Sequence, residues 1–213
     1  MAQKKYKATQ QYGGIDAETR KKQRRDAFIE AGLESFGTIG YVHSTIRGIC
    51  EKAGFTQRYF YESFQNKEDL LVAVYRKMSQ DIEDEARAIM SEPGITPRDA
   101  AVKSLRIYYR RFKDDPRLAR VELFEVLGVS ERVDREYRSA MINLADFVKL
   151  FMVSVFPDLD KEWLEKTIIH TGVAGFIILI ANRWVLEDFQ PPIDEIVDQV
   201  IEASMAIGRH YEK

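Results

Sequence analysis

Apolar residues recur along this chain at spacings of three and four, the period of a helix with one buried face, and no stretch alternates strictly enough to form a strand. Phe28, Ala31, Leu33 and Phe36 mark the first such face, with Lys, Arg and Glu on the remainder, and Gly37 to Gly40 close that helix. Ile46 and Ile49 point inward from a short second helix over 44–51, which Ser44 is placed to cap. Gly54 marks a turn, Thr56 caps a third short helix over 56–62, and Asn66 caps a long fourth over 67–90 that Pro93 and Gly94 stop. Further helices are predicted over 97–113, 116–127, 130–155, 160–187 and 193–211. Their starts carry Thr96 with Pro97, Asp115 with Pro116, Ser130, Asp160, and Asp194 after Pro191 and Pro192. The pattern therefore predicts an all-α protein of about nine helices.

Residues 44–67 pair two short helices across a glycine-containing turn, the geometry of a helix-turn-helix. Ile46, Ile49, Phe55 and Phe60 are placed to pin the two together, and Phe64 follows Phe60 by one turn. With Phe60 inward, Gln57 and Tyr61 share another face, and Arg58 and Glu62 form an i,i+4 pair. The outer face is thus planar and hydrogen-bonding, which suits base edges in a DNA major groove, while Tyr, Ser, Thr and Lys suit phosphates. Tyr59 fits either base stacking or packing against the first helix.

Net charge is −2, but its distribution is uneven. Residues 1–67 hold 12 Lys/Arg against 7 Asp/Glu, and residues 68–213 hold 20 against 27. A basic front on an acidic body favours an anionic partner at the front. Residues 1–15, with Lys4, Lys5, Lys7 and Gly13-Gly14, read as a flexible basic arm; 16–66 read as the helix-turn-helix domain and 67–213 as a larger helical domain. The N-terminus has no apolar core of a signal peptide. The apolar run VAGFIILIA at 173–181 is cut short by His170, Asn182 and Arg183, so it reads as a buried helix rather than a membrane span. Cys50, the single cysteine, reads as a small buried filler, compatible with a cytoplasmic protein. His43, His170 and His210 do not cluster at metal spacing, and no catalytic constellation or phosphate loop stands out, so neither metal, cofactor nor enzymatic activity is expected.

The string RRDAFIEAGLESFGTIGYVHSTIRGICEKAGFTQRYFYESFQNKEDLLVAVY, residues 24–75, resembles the DNA-binding domain of the TetR family of transcriptional regulators. The matching positions are Ser35-Phe36, Gly40-Tyr41, Ser44-Thr45-Ile46, Ala53-Gly54, Phe60-Tyr61, Phe64, Lys67 and Leu70. The resemblance implies phosphate contacts from Ser44, Thr45, Thr56, Tyr61 and Lys67. It places Gln57, Arg58 and Tyr59 at base-reading positions, with Arg47 able to reach either. Two residues depart from the family pattern. Gly48 stands where an acidic residue is common, and Glu62 where an aromatic or His is common.

Beyond residue 67 the resemblance rests on helix number and length alone. It implies a ligand-binding and dimerisation domain in which the last two long helices pair with those of a second subunit. The interface residues are then His170, Val173, Phe176, Ile177 and Ile180 on one helix and Val200 and Met205 on the next. Met78, Tyr108, Tyr109, Phe112, Phe124, Phe147, Phe151 and Trp184 are candidates for an aromatic ligand pocket within the body. Arg106, Arg110 and Arg111 read as a solvated face, with capture of an anion as the alternative. The expectation is a homodimeric regulator that binds a palindromic duplex DNA operator and is released by an apolar or amphipathic small molecule. Activation, ligand-independent regulation, or service as a helical lipid carrier are the alternatives.

Overall fold

A computed structural model describes residues 16–211, and the arm expected over 1–15 lies outside the described residues. The described residues hold ten α-helices and one π-helical segment, with no strand. Helix α1, Ala17–Thr38, starts where the Asp16 carboxylate accepts from the Thr19 N–H at 2.7 Å. Helix α2 is Ile46–Ala53 and α3 is Gln57–Ser63. Gly54 between them takes φ +72°, so that its N–H reaches back to close α2; a side chain here would strain the backbone. Helix α4, Lys67–Met90, is capped by Asn66, and α5, Pro97–Asp114, by Thr96. Helix α6, Pro116–Arg120, runs into the π-helical segment Val121–Glu125; α7 is Glu131–Val155, α8 Lys161–Lys166, α9 Ile169–Leu186 and α10 Ile193–His210.

Two apolar cores organise these helices. The first gathers Phe28, Phe36, Ile49, Phe60, Leu70 and Leu71, and continues through Met78 to Val121, Val126 and Val133. It crosses residue 66 because the first half of α4 buries its inner face against α1. The second core, with Tyr109, Phe112, Leu164, Trp184 and Val197 among its members, fills the body between α5, α7, α9 and α10. The two units meet at a close approach of α1 to α6. A Cβ on Gly37 would lie 2.4 Å from Arg117 Cβ and 2.8 Å from its Cα, so glycine is what lets the helices touch.

Four details differ from the sequence reading. Thr45, not Ser44, caps α2, its hydroxyl accepting from Gly48 N–H at 3.1 Å. The helix expected over 116–127 changes to π winding at Val121. The one expected over 160–187 breaks at Thr167, which is extended and whose hydroxyl accepts from the Ile169 N–H to start α9 afresh. Lastly, α9 is buried on one side only. Ile168, Leu179 and Leu186 are exposed, although α9 is long and apolar enough to cross a membrane by length and composition.

Candidate nucleic-acid interface and ligand cavity

Phe60 anchors the short helix α3. It is fully buried, edge-on to Phe28 with ring centres 5.5 Å apart, and Phe64 closes over it at 5.6 Å. With that phase fixed, Thr56, Gln57, Arg58 and Tyr61 emerge on the outer surface, where Arg58 is 86% and Tyr61 56% exposed. Thr56 makes no side-chain cap bond. From α2, Thr45 and Arg47 are exposed beside them, Arg47 bonded to Glu51 at 3.0 Å. Tyr59 is 37% exposed but leans on the protein: it meets Phe55 edge-on, and the Arg24 guanidinium lies 4.6 Å from its ring centre. Glu62 accounts for itself here, standing 3.7 Å from Arg24 and 3.5 Å from Arg58. Arg24, and Arg25 over the Phe64 ring, were not foreseen as supports of α3, though both lie in the basic run KKQRR of α1.

Two of the expected phosphate ligands face inward instead. Ser44 is buried, and its hydroxyl donates to Gly40 C=O at 2.7 Å, so it is spent on the turn before α2. Lys67 donates to the carbonyls of Tyr41 at 2.6 Å and Ser44 at 2.9 Å, and sits over the Tyr41 ring. Burial pushes its ammonium pKa down. Both side chains hold the 40–44 turn, because that turn exposes carbonyls that no helix satisfies.

The body contains a cavity of about 780 Å³, mostly apolar, between α4, α5, α7 and the inner faces of α9 and α10. Of the expected pocket residues, Tyr108, Phe147 and Phe151 line it. Met78, Tyr109, Phe112, Phe124 and Trp184 do not, each having found a place in a core. Met78 belongs to the first core, Phe112 packs under Tyr108 at 4.9 Å, and Phe124 packs on the outside of the body core. The Tyr109 hydroxyl donates to Ile177 C=O and the Trp184 indole N–H to Pro191 C=O, so their polar tips are used internally.

The polar lining was largely missed. Ser104, Tyr108 and Arg111 stand on one face of α5 at i, i+4 and i+7, opposite Glu122 of the π segment, and all four line the cavity. The Tyr108 hydroxyl donates to Glu122 Oε1 at 3.1 Å. Burial pushes the Glu122 carboxyl up to about 7, against the opposing pull of Arg111 and of the Tyr108 hydrogen bond. Glu122 is half-buried as a residue and lines the cavity, while its Oε2 is buried. Tyr108 is held well above its ordinary pKa by burial and then by the Glu122 charge. In the sequence, Arg111 two turns from Ser104 was the available signal; Glu122 gave none, since its orientation depends on the π winding.

The same π segment grips the DNA-reading unit. Glu125 Oε2 accepts from Tyr41 N–H at 2.7 Å, while its Oε1 accepts from Arg120 Nε at 2.9 Å. Arg120 in turn donates to Thr38 C=O at the end of α1. One turn earlier, Arg117 donates to Glu34 at 2.6 Å and to Asp115 at 2.7 Å. The hydrogen bond from Arg117 holds the Glu34 carboxyl below its usual range. A further pair, Arg132 with Asp69, ties α7 to the start of α4.

The residues expected at a subunit interface divide by face. Val173, Ile177 and Val200 are buried within the chain, and Val173, Ile177 and Met205 line the cavity, so they are unavailable to a second subunit as the structure stands. Ile180 and His170 are half-buried. Phe176 alone of the set is exposed, and it shares the outer side of α9 with Ile168 at 81%, Leu179 at 68% and Leu186 at 69% exposed. Gly172 and Gly175 lie on that side with open space above them. Among the described residues no group of His, Cys, Asp and Glu is arranged to hold a metal ion.

Residues 28–74 match the family described as bacterial regulatory proteins, tetR family. The chain is 24% identical over 189 residues to the fatty acid metabolism regulator protein of Bacillus subtilis strain 168, covering 85% of this chain and 95% of that protein. It is 31% identical over 87 residues to the HTH-type transcriptional regulator BetI of Rhizobium meliloti strain 1021, 41% of this chain and 42% of that one. Among solved structures, the fatty acid degradation regulator FadR of Bacillus halodurans is similar with a TM-score of 0.73 at 18% identity, over 85% of this chain and 94% of that one. FadR of Bacillus subtilis in complex with stearoyl-CoA is similar with a TM-score of 0.71 at 20% identity, over 84% and 96%. At these identities the structural likeness speaks for the fold.

Proposed function

We propose that this chain is a DNA-binding transcriptional repressor with a reading domain of the tetR type, released from its operator by a long, largely apolar small molecule. The observation that carries this reading is the double attachment of the π segment. Glu122 faces the cavity while Glu125 and Arg120 hold the turn between α1 and α2. A ligand that alters the packing around residues 121–125 therefore acts on the reading unit through hydrogen bonds and not through a flexible linker. It shifts DNA affinity only by as much as it prefers one arrangement of the body over the other.

In this reading Gln57 and Arg58 meet base edges, and Thr45, Arg47, Thr56 and Tyr61 meet phosphates. Tyr59 serves mainly as a support, and Ser44 and Lys67 shape the turn. Two copies pair through the exposed side of α9, with Phe176, Leu179 and Leu186 at the seam and Gly172 and Gly175 allowing close approach. A two-fold dimer sets two α3 helices about 34–36 Å apart, matching successive major grooves of a palindrome. The likeness to regulators of fatty acid metabolism, one of them solved with stearoyl-CoA, supports an effector with a long acyl or alkyl chain, as does the apolar lining. In this reading the protein works in the cytoplasm.

Selection of bound duplexes from a random pool, followed by gel shift on the consensus with and without long-chain ligands, tests the proposal. A palindromic consensus, released by ligand, is the expected result. A protein that enriches no consensus, or a ligand that binds without changing operator affinity, overturns it.

A further inference from the structure

Four buried side-chain polar atoms lack a hydrogen-bond partner among the described residues, and three of them belong to residues around one cavity: Ser104 Oγ, Arg111 Nη1 and Glu122 Oε2. The residues that carry them all line the cavity. Buried polar atoms are ordinarily paired, so three unpaired ones in one place ask what pairs them. They do not pair with one another: no ion pair within 4.0 Å joins Arg111 to Glu122, although the Arg111 charge favours the ionised carboxyl. Glu122 has one oxygen committed to Tyr108 and the other buried without a partner. Its placement comes from a π turn, a rare winding that is commonest at functional sites.

We propose that Ser104, Arg111 and Glu122 form a polar subsite within the cavity that takes an uncharged hydroxyl group on an apolar-chain ligand. Hydrogen-bond inventory selects the group. An alcohol donates to Glu122 Oε2 and accepts from Arg111 Nη1 with its single oxygen, and Ser104 Oγ completes its second lone pair. An ether or ester oxygen only accepts, and leaves Glu122 Oε2 as orphaned as before. A carboxylate also only accepts, and adds a second negative charge beside Glu122 where Arg111 supplies one positive charge. Above about pH 7, where Glu122 is ionised, the cluster is balanced in charge, so a neutral group enters it without a compensating proton. This inference rests on the reading of the cavity as the effector site, and names the chemistry that site selects.

The test is isothermal titration calorimetry of the full-length protein at pH 8, where Glu122 is charged, with three chain-matched probes: 1-dodecanol, dodecyl methyl ether and dodecanoate. The alcohol is expected to bind at least tenfold tighter than either of the others, the discrimination typical of one hydrogen bond to a charged group. In Glu122→Met the alcohol's advantage over the ether is expected to vanish while the ether's own affinity stays within about threefold, since apolar burial is retained. Equal binding of all three probes to the wild-type protein overturns the polar subsite and leaves the apolar effector cavity standing, as does tightest binding of dodecanoate. Failure of every probe to bind overturns both. The wild-type series decides the matter even if the variant does not fold.

Discussion

Replacing Glu122 by Gln probes the body without touching the DNA-reading face. The side chain keeps its shape and its acceptor for the Tyr108 hydroxyl, but it can no longer ionise. In the folded protein the carboxyl titrates near 7 rather than at its ordinary 4.5. The folded state therefore holds a proton that the unfolded chain gives up, and stability falls as pH rises between those two values. From pH 5 to pH 8 this one group is expected to remove about 2.5 kcal/mol, from about 1.4 kcal/mol for each pH unit over which folded and unfolded states differ by one proton. Glu122→Gln escapes the loss. At pH 5 the two proteins should melt within a degree or two of each other, the carboxyl being neutral in one and absent from the other. At pH 8 the variant should melt higher by about 5–10 °C for a chain of this length. Thermal unfolding followed by circular dichroism at both pH values, at matched ionic strength and protein concentration, gives the double difference directly. If the wild type and the variant lose stability in parallel across that range, the carboxyl is hydrated, and the account of its burial is wrong.

Three further substitutions separate reading, scaffolding and assembly. Arg58→Ala should relax base preference at one position of each half-site by about 1–3 kcal/mol, seen as a changed consensus in duplex selection, with the melting temperature unmoved because the side chain is 86% exposed. Lys67→Ala should lower stability by about 1–3 kcal/mol in urea unfolding, since it strips charged donors from the Tyr41 and Ser44 carbonyls; if it only flattens the salt dependence of DNA binding, the side chain is a phosphate ligand after all. Leu179→Glu should convert a dimer to a folded monomer in light scattering and abolish palindrome binding, and a variant that stays dimeric refutes the α9 seam.

What the sequence disclosed and what it withheld follow from the range of the interactions involved. Helical period, caps and the phase of α3 are local, so Phe60 buried and Gln57, Arg58 and Tyr61 emerging were legible from spacing alone. Lys67 was not legible in the same way, because the carbonyls it serves lie 23 and 26 residues away in the chain. Val173 and Ile177 show the same limit on α9. An apolar helix with two apolar sides does not say which side meets its own body and which a second subunit. Glu122 is the sharpest instance. Within the run VELFEV a regular helix gives an acidic residue among apolar ones no reason to turn inward, and only the π winding turns it into the cavity. That winding also leaves Glu125, three residues on, bonded to the Tyr41 amide outside. The two carboxylates thus serve different sides of one short segment, one belonging to a residue that lines the cavity and one fixed to the turn after α1. A change at Glu122 that rewinds the segment by even one residue must pull on Tyr41, and through it on the turn that sets α2. In the proposed mechanism, the polar positions least explicable by local pattern are those through which ligand and DNA are connected.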